Sequence, residues 1–361
     1  DIEEIANDFI KPFDLGKAPL FRIEIVETQG KNCLLIDMHH IISDGVSMSI
    51  LINEFATIYN GGYLEPLKLQ YKDFSAWQNN FLKSEEMKKQ EEYWMNMFND
   101  EIPVLNLPYD YERPAIQSFE GDSVSFEIDK SLTSELKELT KKTGTTMHMV
   151  LLSAFNILLA KYSGQEDIVI GTPIAGRPHA ELHNIMGMFV NTLALRNKPK
   201  EDKRYIDFLN EVKENSLMAY ENQNYQIEAL VEGLNLKRDQ SRNLIFDIMF
   251  NTLNMESSYI KLRGLVLKSY NPKSKTAKFD LSLCVQENYN IVLNLDYCKK
   301  LFERDTIEIM RDDLIEILKI ISHDENVLLR SIFNKEIVQE VNGEDELTSL
   351  DGDFCFEKII E

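Results

Sequence analysis

From residue 21 onward, apolar and polar positions alternate twice in quick succession. In "FRIEIVE" and again in "NCLLIDM" every second residue is apolar, the period of a strand with one face on an apolar layer. The "TQGKN" between them reads as a hairpin turn. Leu34, Ile36 and Met38 share a parity that runs on to His40, so His40 is expected to point into that layer. Cys33, Leu35, Asp37 and His39 point the other way. After Asp44-Gly45 the period lengthens. Met48, Leu51, Ile52, Phe55 and Ile58 recur at three- and four-residue steps, a helix that Gly61-Gly62 stop.

Further along, 71–99 predicts an aromatic, charged helical region. Residues 106–122, with two prolines and a glycine, read as a long connection. A strand at 124–129, an amphipathic helix at 131–142 and a strongly apolar helix at 145–164 follow. A buried strand at 167–177 runs into a Pro/Gly loop. Next come a strand at 188–196, helices in 204–232, strands at 244–253, 264–270, 278–287 and 290–297, and a helix at 303–322. Helices and strands mix throughout and no repeat is present, which makes the class α/β or α+β. The acidic, turn-rich 336–361 reads as a linker entering a next domain.

Charge narrows the partners. A net charge of −21 over 361 residues disfavours nucleic acid and anionic membrane surfaces, and no apolar run reaches the ~18 residues a span needs. The first ten residues are acidic and unlike a signal peptide. The sequence opens at Asp1 without an initiator methionine, so we expect it to be cut from something longer. Cys33, Cys284, Cys298 and Cys355 are scattered and lack zinc spacing, which fits unpaired thiols in a reducing cytoplasm.

The candidate chemistry sits in "MHHIISDGVS", 38–47. A neutral imidazole can take a proton at cellular pH. His40 lies where a strand yields to a helix start, whose free N–H groups favour negative charge. A base beside such donors suits acyl transfer, and Gly45 lets a substrate approach the backbone. Asp44 either caps the helix or pairs with an arginine from far along the chain; both roles are structural. His39 is expected to be structural too.

Other stretches raise this signal. "HHIISDG" matches in full the HHxxxDG motif of condensation domains of nonribosomal peptide synthetases, which the sequence resembles. "PFDLGKAPLFRIEI" (12–25) is similar to the segment upstream of that motif. "YKDFSAWQ" (71–78) is similar to Tyr-x-Asp-Phe/Tyr-Ala-x-Trp, with Ser75 for the alanine. "MGMFVNTLALR" (186–196) and "RDQSRNLIFDIMF" (238–250) match two more family motifs closely. "NQNYQIE" (222–228) departs from His-Gln-Asp-Tyr-Pro-Phe-Glu at Asn222 and Gln226. The family's Ser-x-Ala-Gln-x-Arg-type motif is not found, so the N-terminal lobe is expected to be incomplete and the motif strand to carry an unpaired edge.

The resemblance implies an α/β, two-lobed fold like chloramphenicol acetyltransferase, V-shaped with a central tunnel. It divides the chain into 1–105, the rest of the N-terminal lobe; 106–335, the connection and C-terminal lobe with a crossover loop at 268–281; and 336–361, a linker toward an adenylation domain. It implies peptide-bond formation between a donor acyl or peptidyl thioester and an acceptor aminoacyl thioester. Both ride on 4'-phosphopantetheine arms of carrier proteins, and the domain itself binds no cofactor or metal. His40 matches the active-site histidine. His39, Gly45 and Asn191 line the site, and Asp44 with Arg177 is the expected structural salt bridge. "HHIISDGVS" looks most like domains that join two L-configured residues. The alternatives are a free-standing acyl-CoA-dependent acyltransferase that shares H-x-x-x-D-G, and an inactive module that recruits a carrier.

Overall fold

The computed structural model describes residues 2–28, 31–253, 260–267, 276–287 and 290–334. The elements run α1 (Ile2–Phe9), β1 (Phe21–Thr28), β2 (Lys31–Met38), α2 (Gly45–Tyr59), α3 (Tyr71–Phe81), α4 (Glu85–Met97), β3 (Gly121–Ile128), α5 (Lys130–Thr143), α6 (Met147–Ser163), β4 (Ile168–Ile174), β5 (Asn191–Asn197), α7 (Tyr205–Glu221), α8 (Ile227–Gly233), β6 (Ile248–Leu253), β7 (Ile260–Leu262), β8 (Leu265–Leu267), β9 (Leu281–Glu287), β10 (Ile291–Cys298), α9 (Arg304–His323) and α10 (Leu329–Phe333).

The long helical stretches are broken. Residues 71–99 divide into α3 and α4, because Ser84 caps a new helix with its side chain on the Met87 N–H. Residues 204–232 divide into α7 and α8 around 222–226. The short strand β7 carries too little pattern to be read beforehand, whereas α1 has Ile2, Ile5, Ala6 and Phe9 at helical spacing and is a helix the sequence reading did not name. The expected linker 336–361 and the crossover residues 268–275 lie outside the described residues.

A six-stranded mixed sheet, ordered β3-β10-β9-β6-β4-β5, organises the larger part. β6 runs parallel to β9 and β4, and the other neighbours are antiparallel. α6 is apolar all round, and such a helix belongs inside. Met149 to Ala160 are all buried, and α5, α7, α9 and α10 pack around it. Gly164 ends α6 at φ +67, a left-handed C-cap. Met87, Trp94, Phe98 and Leu105, from the segment expected to close the N-terminal lobe, belong to this same core. Arg196 of β5 fixes that segment by donating to the Met97 and Glu101 carbonyls and to Asp167.

The 106–120 connection is pinned by charge. Arg113 pairs with Asp280 and donates to the Ser241 carbonyl, and Tyr109 donates to Asp280 at 2.9 Å. Gly121 then opens β3 where a Cβ would lie 2.5 Å from the Thr276 backbone, so only glycine fits.

β1 and β2 form a separate hairpin, with Ile23 opposite Ile36 and Arg22 opposite Asp37. Its Phe21, Ile23 and Ile25 are exposed, while Leu35, Asp37 and Met38 are buried. A second, smaller core of Phe74, Leu182, Ile185 and Phe189 joins α3 to the segment ahead of β5. Among the described residues no single helix is long and apolar enough to cross a membrane.

One titratable group lies inside the large fold. His148 of α6 bonds Thr252 of β6 at 2.8 Å and Tyr220 of α7 at 3.3 Å, and burial pushes it down to about 4. The unfolded chain therefore binds a proton that the folded chain refuses between about pH 6.5 and 4. Stability falls as pH drops through that window, by at most about 3 kcal/mol. Urea unfolding from pH 7 to 4 should show this loss in the wild type in excess of that in His148→Gln.

Candidate active site

β2 ends at Met38 and the chain turns at once. His39 leaves the strand with its N–H on the Leu20 carbonyl, and His40–Ile42 form a single 3-10 turn. Strand parity therefore stops two residues short of His40. The expectation that His40 follows Leu34 and Ile36 into an apolar layer is corrected: a turn, and not a strand, aims the ring. His39 does stay on the Asp37 side. Its Nδ1 accepts the Ile41 N–H at 3.0 Å and its ring meets Phe13 edge-on at 6.0 Å. Phe13 also lies under the Arg22 guanidinium, which donates to Asp37 at 2.6 Å. The "PFDLGKAPLFR" stretch thus supports the turn from below.

His40 differs. Its ring is half-buried, its Nδ1 is sealed from solvent, and that atom has no hydrogen-bond partner. Four residues on, Asp44 is completely buried and combines the two roles the sequence left open. It caps α2, accepting the Ser47 N–H at 2.7 Å, and both its oxygens accept from Arg177 Nη2 at 2.9 Å. Arg177 also donates to the Leu182 and Ile185 carbonyls and lies 3.9 Å over the Phe189 ring. Gly45 opens α2, exposed, with nothing within 4 Å of where a Cβ would stand.

Asn191, at the start of β5, is fully engaged with protein. Its Nδ2 donates to the Gln223 and Tyr225 carbonyls at 2.9 Å, and its Oδ1 accepts from the Thr192 and Ile227 N–H groups. It therefore ties down the "NQNYQIE" segment. The "RDQSRNLIFDIMF" stretch closes on itself: Arg242 pairs with Asp247 at 2.8 Å, and Asp247 also accepts the Asn243 N–H. Burial, with the neighbouring Asp280 charge, raises Asp247.

Sequence reasoning missed Ser47. Its hydroxyl lies 2.7 Å from Asp44 Oδ1 and 3.0 Å from the Gly187 carbonyl, and accepts the Gly187 N–H at 3.0 Å. A serine in a first helical turn carries no signal of a partner 140 positions away. Among the described residues no group of three or more His, Cys, Asp or Glu side chains could hold a metal ion.

Comparison with known proteins places this geometry. A family model described as Condensation domain matches residues 1–336. The chain belongs to the condensation-domain family. It is 51% identical over 323 residues to bacitracin synthase 3 of Bacillus licheniformis, which covers 89% of this chain and 5% of that protein. It is 49% identical over 332 residues to tyrocidine synthase 3 of Brevibacillus parabrevis, 91% of this chain and again 5% of that protein. The condensation domain thus spans about a twentieth of the length of these relatives. Its fold is that of solved condensation-type structures. A holo four-domain nonribosomal peptide synthetase bound to AMP and glycine superposes with a TM-score of 0.82, at 24% identity, over 91% of this chain and 26% of the other. The X-domain from teicoplanin biosynthesis gives 0.81 at 22% identity, over 91% and 77%. Condensation domains of nonribosomal peptide synthetases are amide-forming acyltransferases, and this chain is an enzyme of that type.

Removing either partner of the Asp44–Arg177 pair leaves a buried charge alone. Arg177→Ala or Asp44→Ala should lower unfolding free energy by about 3–5 kcal/mol, measured by urea denaturation. An Asp44→Ala variant with wild-type stability but no activity would instead assign Asp44 to the chemistry.

Proposed function

We propose that the domain joins a donor acyl or peptidyl thioester to the amine of an acceptor aminoacyl thioester, each carried on the phosphopantetheine arm of a carrier protein. The partners in this reading are an upstream donor carrier, a downstream acceptor carrier and an adjacent adenylation domain. The substrates are L-configured on both sides, as the "HHIISDGVS" stretch suggests. The observation that carries the reading is a half-buried imidazole without a protein partner, one turn ahead of an open helix start.

In the proposed reaction the acceptor nitrogen attacks the donor carbonyl carbon, charge builds on the carbonyl oxygen, the C–S bond breaks to release the donor arm as a thiolate, and the proton given up by the nitrogen ends on that sulfur as a thiol. The N–H groups of Gly45 and Val46 precede the first intrahelical bonds of α2, and with the helix dipole they favour negative charge. They are the proposed donors to that oxygen.

His40 acts on the amine. An α-amino group titrates near ~8 and a thioester is already reactive, so no strong base is required. The environment of the ring agrees with a modest role. For Nε2 to take a proton, Nδ1 must carry one, and no buried acceptor stands against it. A triad places a carboxylate there to stabilise the imidazolium. Asp44 cannot serve, being committed to Arg177 and the α2 cap. His40 therefore holds the amine and removes its proton once the N–C bond has formed. Gly45 leaves room for the thioester, and Asn191 acts indirectly by holding the loop after α7.

His40→Ala, assayed with both carriers loaded, should slow product formation on the order of 10²-fold. Full retained activity would remove His40 from the mechanism. Product from free acyl-CoA would favour the free-standing acyltransferase, and no product from the wild type would favour a recruiting module.

A further inference from the structure

The "YKDFSAWQ" stretch has no part in the chemistry above, yet its first residue reaches the site. Tyr71 opens α3, and its hydroxyl donates to the Met188 carbonyl at 2.7 Å. Its ring meets Phe189 edge-on at 5.0 Å, and Phe74, one turn later, packs on Phe189 at 4.6 Å. Gly187 is buried directly against the Tyr71 ring, where a Cβ would lie 2.1 Å from Cδ2. Any other residue at 187 must push the ring aside.

Residues 187–189 form no regular element, so side chains must satisfy their backbone. Ser47 takes the Gly187 N–H and meets its carbonyl, Tyr71 takes the Met188 carbonyl, and Asp44 takes the Phe189 N–H at 3.2 Å. The segment is thus gripped between the first turns of α2 and α3, two residues before β5 begins at Asn191. On the α2 side, Asp44 follows directly on the His40 turn, whose last bond runs from the Ser43 N–H to the His40 carbonyl. Burial and the Asp44 charge raise the Tyr71 phenol, keeping it a neutral donor.

We propose that Tyr71 is a positioning residue for the reaction at His40: by holding 187–189 against α2, it keeps the His40 turn in register with the β5 strand. The kinetic part of this proposal rests on the condensation reading, and the geometric part does not.

Tyr71→Phe in the full chain deletes the hydroxyl and keeps the ring. The expected result is a kcat with loaded carriers about 10-fold lower, KM for both carriers unchanged, a thermal midpoint only slightly lowered by the lost hydrogen bond, and a displaced NMR signal from the His40 ring. Gly187→Ala should show the same kinetic and spectroscopic signature. The double variant should lose little more than the worse single one, because both act on one contact. A wild-type kcat with an unmoved His40 signal would overturn the proposal. A loss of activity that merely tracks a lower thermal midpoint, with His40 unmoved, would also overturn it. If the wild type makes no product while Tyr71→Phe still displaces the His40 signal, the condensation reading falls and the positioning role stands.

Discussion

The buried pair of Asp44 and Arg177 is the constraint on which the site depends. Two opposite charges out of water repay their desolvation only when the geometry is good and the remaining lone pairs and protons are satisfied. Here the geometry is good and the carboxylate is fully satisfied, and of the guanidinium nitrogens only the buried Nε lacks a partner. Asp44 accepts from the guanidinium, from the first turn of α2 and from the Phe189 backbone, and Arg177 donates onward to the Leu182 and Ile185 carbonyls. An apolar pair of equal volume could match the stability. It could not fasten three chain segments to one point, and that directional fastening is what the proposed site at the His40 turn, four residues away, requires.

The surroundings of the pair explain why an irregular segment beside the proposed site can stay in place. Short turns satisfy the Leu182, His183 and Ile185 N–H groups. The Leu182 and Ile185 carbonyls and the backbone of 187–189 are satisfied instead by Arg177, Ser47, Tyr71 and Asp44, and the apolar side chains of Leu182, Ile185 and Phe189 close a small core with Phe74. The large sheet with α6 at its centre supplies stability, and the small core supplies alignment. Two buried nitrogens in this network lack a partner, Nε of Arg177 and Nδ1 of His40.

Much of the architecture was visible in one dimension. The alternation in 21–38, the apolar run of α6 with Gly164 after it, and the strand pattern of 278–297 each follow from local periodicity, which needs no partner to be read. Element breaks were harder to see. The 71–99 region splits because Ser84 prefers a cap to a helix interior, a local effect masked by helical pattern on both sides. The parity argument for His40 failed because it extended a strand period into a turn.

The sequence by itself determined where a site was to be sought, because the spacing of His40, Asp44 and Gly45 is a property of ten consecutive positions, and the family resemblance singled out Arg177 as the partner of Asp44. Only the tertiary structure decided what those residues touch. The turn geometry of His40, the grip of Ser47 on Gly187 and the reach of Tyr71 to Met188 join positions more than a hundred residues apart in the last two cases. Such pairings are set by how layers pack, and packing leaves no local period to be read.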